Sequence, residues 1–301
     1  MKIVVAGSSG LIGRALVESL RADGHGVIRL VRRSPTTTDE LFWEPAKRAL
    51  DLSGCGEVDA IVNLAGENIA AGRWTPSRKE KILRSRAEST QTLVGACARL
   101  VRKPGVFVSA SAVGIYGECG EAEVTETRGV GLGFLPEVAM IWETNAEGAA
   151  RVGIRTVLVR FGVVLAREGG ALAKMLPAFR LGLGGRLGDG NQWMSWVSLT
   201  DAVGAIRHAL TNMQCAGPVN VVSPEAVTNR DFTVILAHVL SRPAIFPVPA
   251  WVLRMVFGTM ADETLLVSIR AVPRRLKDTG FVFREPNLEA ALRAELSGRR
   301  G

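Results

Sequence analysis

Three glycines spaced as GxxGxxG stand near the start of the chain, in Gly7-Ser8-Ser9-Gly10-Leu11-Ile12-Gly13. Small residues at this spacing let a backbone turn sharply and approach a pyrophosphate, and the helix that follows offers unpaired N–H groups and the positive end of its dipole. The turn fits either a dinucleotide or a purely structural glycine bend. Its setting after a first strand and before a first helix favours the dinucleotide. A second charged feature lies about twenty residues on, in Leu30-Val31-Arg32-Arg33-Ser34, with no acid before Asp39. An Asp or Glu there accepts from a ribose 2′-OH, whereas Arg pairs with a 2′-phosphate. Arg32 is expected to grip that phosphate through parallel N–H bonds and Arg33 to add a contact or stack on adenine, which points to NADP(H).

Fewer residues are suited to moving protons. The chain has one tyrosine, Tyr116, and three scattered histidines, His25, His208 and His238. No YxxxK pair exists, because the residue four after Tyr116 is Gly120. Ser109, Ser111 and Tyr116 remain as hydroxyls near the end of an apolar run, with Ser111 and Tyr116 the candidate catalytic pair. A phenol there could act as a general acid, or it could close a turn. Gln192, Trp193 and Trp196 could wall a small polar-apolar substrate pocket, or form a packed seam. Neither the histidines nor Cys55, Cys97, Cys119 and Cys215 have metal-ligand spacing, so no metal is expected.

The elements that must position these groups follow from periodicity. Lys2–Ala6, Val27–Val31, Ala60–Leu64, Val106–Ala110 and Thr156–Phe161 read as buried strands, and Gly10–Leu20, Ser77–Leu100 and Pro136–Ala150 as helices. Such alternation builds an α/β fold, a Rossmann-type doubly wound parallel sheet. After the glycine-rich passage Leu181–Gly190 the pattern turns mostly helical, giving a smaller C-terminal lobe. The expected division is residues 1–168 for NADP(H), with 196–222 returning to that domain, and 169–195 plus 223–301 as a substrate lobe.

Composition sets the outer bounds. The 301 residues, 47% of them apolar, can bury a proper core, and Lys plus Arg outnumber Asp plus Glu by 37 to 29. Nearly all the surplus falls between Arg73 and Lys103, where nine bases meet two acids. That run is a solvated helix face or a response to cofactor phosphates. Nucleic acid is not expected, since only Trp74 offers a stacking ring within it. Unpaired cysteines, an apolar start that breaks at Gly7, and no long apolar run give the expectation of a cytoplasmic protein with no membrane contact.

With these residues in view, the chain resembles an atypical member of the extended short-chain dehydrogenase/reductase superfamily. More narrowly it resembles the NAD-dependent epimerase/dehydratase-like "epimerase family" proteins that end in a small domain of unknown function. Beyond the glycine turn the resemblance is carried by Asn63 to Asn68, Ser109 to Gly117, Trp142-Glu143, Val159 to Leu165, Gly182 to Gly185, Gln192 to Trp196, Asp201, and Pro273 to Phe283. It implies that Leu64 and Ala65, with Gly66 beside them, lie under the adenosine, and that Val31 and Arg32 hold its ribose-phosphate. Arg86 would reach cofactor phosphate or ribose, Lys81 is a further candidate, and Ser109 and Val164 would lie toward the nicotinamide. The superfamily's usual tyrosine and lysine align with Leu135 and Ala139, so its standard proton chemistry is in doubt here. The function implied is an NADP(H)-binding oxidoreductase or epimerase-like enzyme acting on a small molecule; the alternative is a non-catalytic NADP(H)-binding regulator or scaffold.

Overall fold

Val4 and Ala6 face one apolar cluster and Ile3 and Val5 another, so the first strand, β1 (Lys2–Ala6), is buried on both sides and carries no polar alternation. The same logic sets the other central strands of the computed structural model, which describes residues 1–297. Six more strands join β1: β2 (Gly26–Val31), β3 (Glu40–Phe42), β4 (Ala60–Asn63), β5 (Val106–Ala112), β6 (Arg155–Phe161) and β7 (Gly217–Val221). All neighbours pair in parallel, in the order β7-β6-β5-β4-β1-β2-β3. The chain leaves β1 in one direction through β2 and β3 and in the other through β4 and β5. The carboxyl ends of β1 and β4 therefore flank the crevice where a ligand of a doubly wound sheet binds.

Helices cover both faces. They are α1 (Leu11–Ala22), α2 (Pro76–Arg99), α3 (Phe134–Ala146), α4 (Gly148–Arg151), α5 (Gly170–Arg180), α6 (Leu199–Thr211), α7 (Asn229–Leu240), α8 (Ala250–Phe257), α9 (Arg274–Asp278) and α10 (Leu288–Ser297). Leu16, Leu20 and Ile206 from α1 and α6 pack with Ile3 and Val5, and Leu93 and Cys97 from α2 pack with Val4 and Phe107. The continuous helix expected over Pro136–Ala150 is divided at Glu147 into α3 and α4. Gly148 lies so close to α2 that a Cβ there would stand 3.1 Å from a Val94 methyl.

A third apolar cluster, separate from the sheet, holds Leu172, Phe179, Trp196, Phe232, Leu236 and Leu292, drawn mainly from α5, α7 and α10. This is the smaller, mostly helical C-terminal lobe. A two-residue strand, Arg270–Ala271, ties it back by pairing with Glu123–Val124. Ser195 Oγ braces the same strand from within the lobe, donating to Ile269 O at 2.8 Å and accepting from Ala271 N–H at 2.8 Å. No described helix is long and apolar enough to cross a membrane. The four cysteines are free thiols, and the last four residues of the expected 223–301 segment lie outside the described residues.

Candidate functional site

The glycine turn admits no larger residue at its two ends. Gly7 sits at φ +81°, and a Cβ on it would lie 2.6 Å from the carbonyl carbon of Leu64. A Cβ on Gly13 would lie 2.1 Å from Gly7 O. The turn thus presses against the segment after β4 while α1 presses against the turn. Gly10 caps α1 without a side chain, so the N–H groups of Leu11, Ile12 and Gly13 in the first helical turn are left for another acceptor. Ser8 is buried and Ser9 exposed. The Leu11 side chain reaches the bend at Gly169 and Gly170, which also lies against Val164 O. Leu11, Ile12, Leu64 and Val164 all pack on the edge of one core cluster. The cradle and four of the apolar residues expected around a dinucleotide are therefore one contiguous surface.

At the end of β2 the two arginines part company. Val31 is half-buried, and Arg32 is exposed with no hydrogen bond or ion pair among the described residues. Arg33 instead turns to Glu40, at 2.8 Å from Nη1 to Oε2 and 2.6 Å from Nη2 to Oε1. Expectation and structure differ here: Arg33 is occupied by a carboxylate rather than free for phosphate or adenine. Glu40 lies beyond the strand end where a ribose-binding acid is expected, and it meets Arg33 only because the loop turns back to pair β3 with β2. Asp39 itself pairs with Arg21 and Arg29.

Beyond β4, Ala65 N–H bonds to Asn63 Oδ1 at 3.2 Å, while Leu64 and Ala65 stay half-buried and Gly66 exposed. The Arg86 guanidinium lies against Gly66, since a Cβ there would be 3.2 Å from Cζ, and it stands 4.9 Å over the Trp142 ring. Its Nη1 donates to the Glu67 and Ile82 carbonyls, both at 3.1 Å, but it forms no ion pair with a described carboxylate. Burial pulls its pKa down to about 10, the direction expected of a cation short of a counter-ion. Lys81 is exposed, 3.8 Å from Glu67.

The rest of the basic run is answered elsewhere. Arg78 pairs with Glu67, Arg84 with Glu80 and Glu88, and Arg102 with Glu57 and Asp59. Arg99 and Lys103 donate to carbonyls, and Lys79 lies over Trp74 and Phe134. Acids outside the run thus meet Arg78, Lys81 and Arg102, and acids within it meet Arg84. Arg86 lies against the segment after β4 with no ion pair to a described carboxylate.

Ser109 is fully buried on β5, in register with Asn63, and exposes nothing to a ligand. Ser111 Oγ donates to Glu143 Oε1 at 2.6 Å. Arg160 clamps the same carboxylate, Nε to Oε1 and Nη2 to Oε2 both at 2.8 Å, and its Nη1 donates to the Tyr116 hydroxyl at 2.9 Å. The phenol in turn donates to Asn220 Oδ1 at 2.6 Å, and Asn220 Nδ2 donates to Val272 O at 3.0 Å. Burial raises the Tyr116 pKa above its ordinary value even though Arg160 opposes that shift. Both hydroxyls thus give their protons inward. Leu135 packs on Gly114 and Ala139 is buried, so neither supplies a phenol or an ammonium.

The pocket wall expected from three residues also divides. Trp196 is fully buried in the C-terminal core, with Nε1 bonded to Glu225 O at 2.7 Å. Gln192 is buried and donates to Leu187 O and Leu265 O at 3.1 and 2.9 Å. The contacts of both lie within the C-terminal lobe. Trp193 stays half-buried, its ring 4.3 Å below the Arg270 guanidinium.

Comparison with known proteins agrees with this geometry. The model of the NAD dependent epimerase/dehydratase family matches residues 3–222, most of the chain. This chain belongs to that family. A second model, a domain of unknown function, matches residues 248–295. The family member is 43% identical to the epimerase family protein Mb2239 of Mycobacterium bovis over 96% of each chain. It is 38% identical to the human epimerase family protein SDR39U1, covering 97% of this chain and 99% of that one. The crystal structure of human SDR39U1 isoform 2 with NADPH superposes with a TM-score of 0.91 at 35% identity, over 99% of this chain and 100% of that one.

In this family member the residues that sequence reasoning missed are Glu40, Arg160 and Asn220. Each is a polar residue whose partner lies on another element, and Asn220 and Tyr116 are 104 residues apart. Glu143 was legible as a residue near the expected nicotinamide position, but not as the carboxylate shared by Ser111 and Arg160.

Proposed function

We propose that this family member is an NADP(H)-dependent oxidoreductase or epimerase-like protein acting on a small molecule. The observation that carries the reading is the pairing of a turn closed to a Cβ at Gly7 and Gly13 with an arginine, Arg32, that has no partner among the described residues and stands at the end of the next strand. The residues fit the cofactor. The N–H groups of Leu11, Ile12 and Gly13, with Gly7, Ser8, Ser9 and Gly10 of the turn, would hold the pyrophosphate, and Arg32 the 2′-phosphate. Val31, Leu64, Ala65 and Gly66 would border the adenosine, Arg86 would meet a phosphate or ribose oxygen, and Val164 would border the nicotinamide. When bound, NADPH supplies a hydride. Residues 1–168 with 196–222 would form the cofactor domain, and 169–195 with the segment from 223 onward the substrate lobe. Free thiols support a cytoplasmic setting.

Ser111 and Tyr116 then act as positioning residues: they brace β5, β6 and β7 beneath the cofactor, their protons committed to Glu143 and Asn220. The same observation favours a second reading, an NADP(H)-binding regulator without turnover. Titration of the protein with NADPH and NADH, followed by fluorescence, tests the cofactor. NADPH absorbance against aldehydes, ketones, quinones and nucleotide sugars tests net reduction, and a product assay tests epimerisation. Tight NADPH binding with no product from any of them selects the regulator. Equal affinity for NADH removes the NADP(H) assignment.

A further inference from the structure

Between β2 and β3 the chain must run back along the sheet, because the two strands pair in parallel with Arg29 opposite Glu40 and only eight residues, 32–39, connect them. Glu40, the first residue of the short edge strand, organises that return. Its side chain is 1% exposed. One carboxylate oxygen accepts from Arg33 Nη1 at 2.8 Å, Thr36 N–H at 2.9 Å and Thr36 Oγ1 at 3.1 Å. The other accepts from Arg33 Nη2 at 2.6 Å and pairs with Arg29 Nη2 at 3.1 Å. Arg33 Nη1 also donates to Ser34 O at 2.9 Å, closing the bend on itself. One carboxylate therefore gathers side chains and backbone from both ends of the loop, leaving Arg32 as the one arginine of the pair with no partner among the described residues.

We propose that Glu40 is a specificity-determining positioning residue for the ribose-phosphate end of the cofactor site. By holding Arg33 and Thr36 it fixes the loop in the conformation that presents Arg32, alone, to a 2′-phosphate. This rests on the NADP(H) reading above. A charged side chain on a disordered loop loses affinity to the cost of ordering it, and a loop already closed on a buried carboxylate does not incur that cost at binding. The arrangement also explains how two adjacent arginines divide their work: one is spent on the loop and the other on the ligand.

The test is calorimetric titration of wild type, Glu40→Gln and Arg33→Ala with NADPH, NADH, 2′,5′-ADP and 5′-ADP, alongside thermal unfolding of each protein. The expected result is at least tenfold weaker binding of NADPH and 2′,5′-ADP in both variants, with NADH and 5′-ADP changed less than twofold. The double variant should be no worse than the more affected single one, because both act through one contact. Equal weakening of phosphorylated and unphosphorylated ligands would reduce Glu40 to a structural role and overturn the proposal. Tighter NADPH binding by Glu40→Gln would overturn it differently, by showing that Glu40 withholds Arg33 from the ligand. A wild-type protein that does not prefer 2′,5′-ADP to 5′-ADP would remove the NADP(H) reading itself and this proposal with it. Wild-type preference retained in Glu40→Gln would overturn the proposal alone.

Discussion

Removing one partner from the Glu143–Arg160 pair should cost far more than removing both. The side chains are 9% and 7% exposed and meet through two bonds of 2.8 Å. For unit charges about 4 Å apart in an effective dielectric of about 20, the Coulomb attraction is about 4 kcal/mol. Breaking such a pair by deleting one member typically costs about 3–5 kcal/mol, because the survivor keeps its desolvation penalty without its counter-charge. Arg160→Met strands the Glu143 carboxylate with Ser111 alone, and takes from the Tyr116 phenol its donor. Glu143→Leu leaves Arg160 with only the Tyr116 oxygen and Glu126 O. Each single variant should therefore lose about 4 kcal/mol, and the double variant about 2 kcal/mol or less, since apolar replacement of a buried pair is often near neutral. With a urea slope of about 3 kcal/mol/M, the singles should shift the unfolding midpoint down by roughly 1.3 M. Equilibrium urea unfolding followed by tryptophan fluorescence reads this directly. Single variants within about 1 kcal/mol of wild type, or a double variant as damaged as the sum of the singles, would refute the account of this network as a coupled, buried support.

Four further outcomes follow from the geometry. Arg32→Ala should weaken NADPH binding by roughly 10- to 150-fold, the worth of a hydrogen bond to a charged group at about 1.5–3 kcal/mol, and leave NADH unchanged in the same titration. Gly13→Ala should abolish cofactor binding and lower the melting temperature by several degrees, because its Cβ would stand 2.1 Å from Gly7 O. Arg33, with help from Thr36, holds the Glu40 carboxyl down to about 2, so its stabilising contribution is complete above the ordinary glutamate range and disappears as pH falls from there through about 2. Melting temperatures of wild type should fall across that window more steeply than those of Glu40→Gln. Finally, Tyr116→Phe should lower stability yet move no limb of any pH–rate profile below pH 10, since burial raises the phenol pKa; a limb that disappears with the hydroxyl would restore Tyr116 as a proton donor.

The parallel sheet was legible because local signals sufficed for it. β1, the glycine turn and α1 are contiguous in the chain, and alternate residues of β1 serve opposite faces of a sheet covered on both. The cofactor cradle shared that advantage. What stayed hidden depended on pairings across the fold. Arg33 looked free because Glu40 meets it only once the loop turns back, and Ser111 and Tyr116 looked available because Glu143 and Asn220 reach them from a helix and a distant strand. The basic run was over-read for the same reason: Glu57, Asp59 and Glu67, which answer part of it, precede it in sequence. Trp193 and Trp196 are three residues apart, yet only the latter enters the C-terminal core, a difference set by the lobe's packing and not by residue type.

The stitching of Ile269 to Val272 into the cofactor half has a mechanical consequence. Val124 and Asn220 grip this short stretch from the cofactor half, through bonds of 2.9 and 3.0 Å to Val272, while Ser195 Oγ holds Ile269 and Ala271 from within the lobe. Swinging the C-terminal lobe away as a rigid jaw would have to break the Val124 and Asn220 bonds together, and Asn220 is also the acceptor of the Tyr116 hydroxyl.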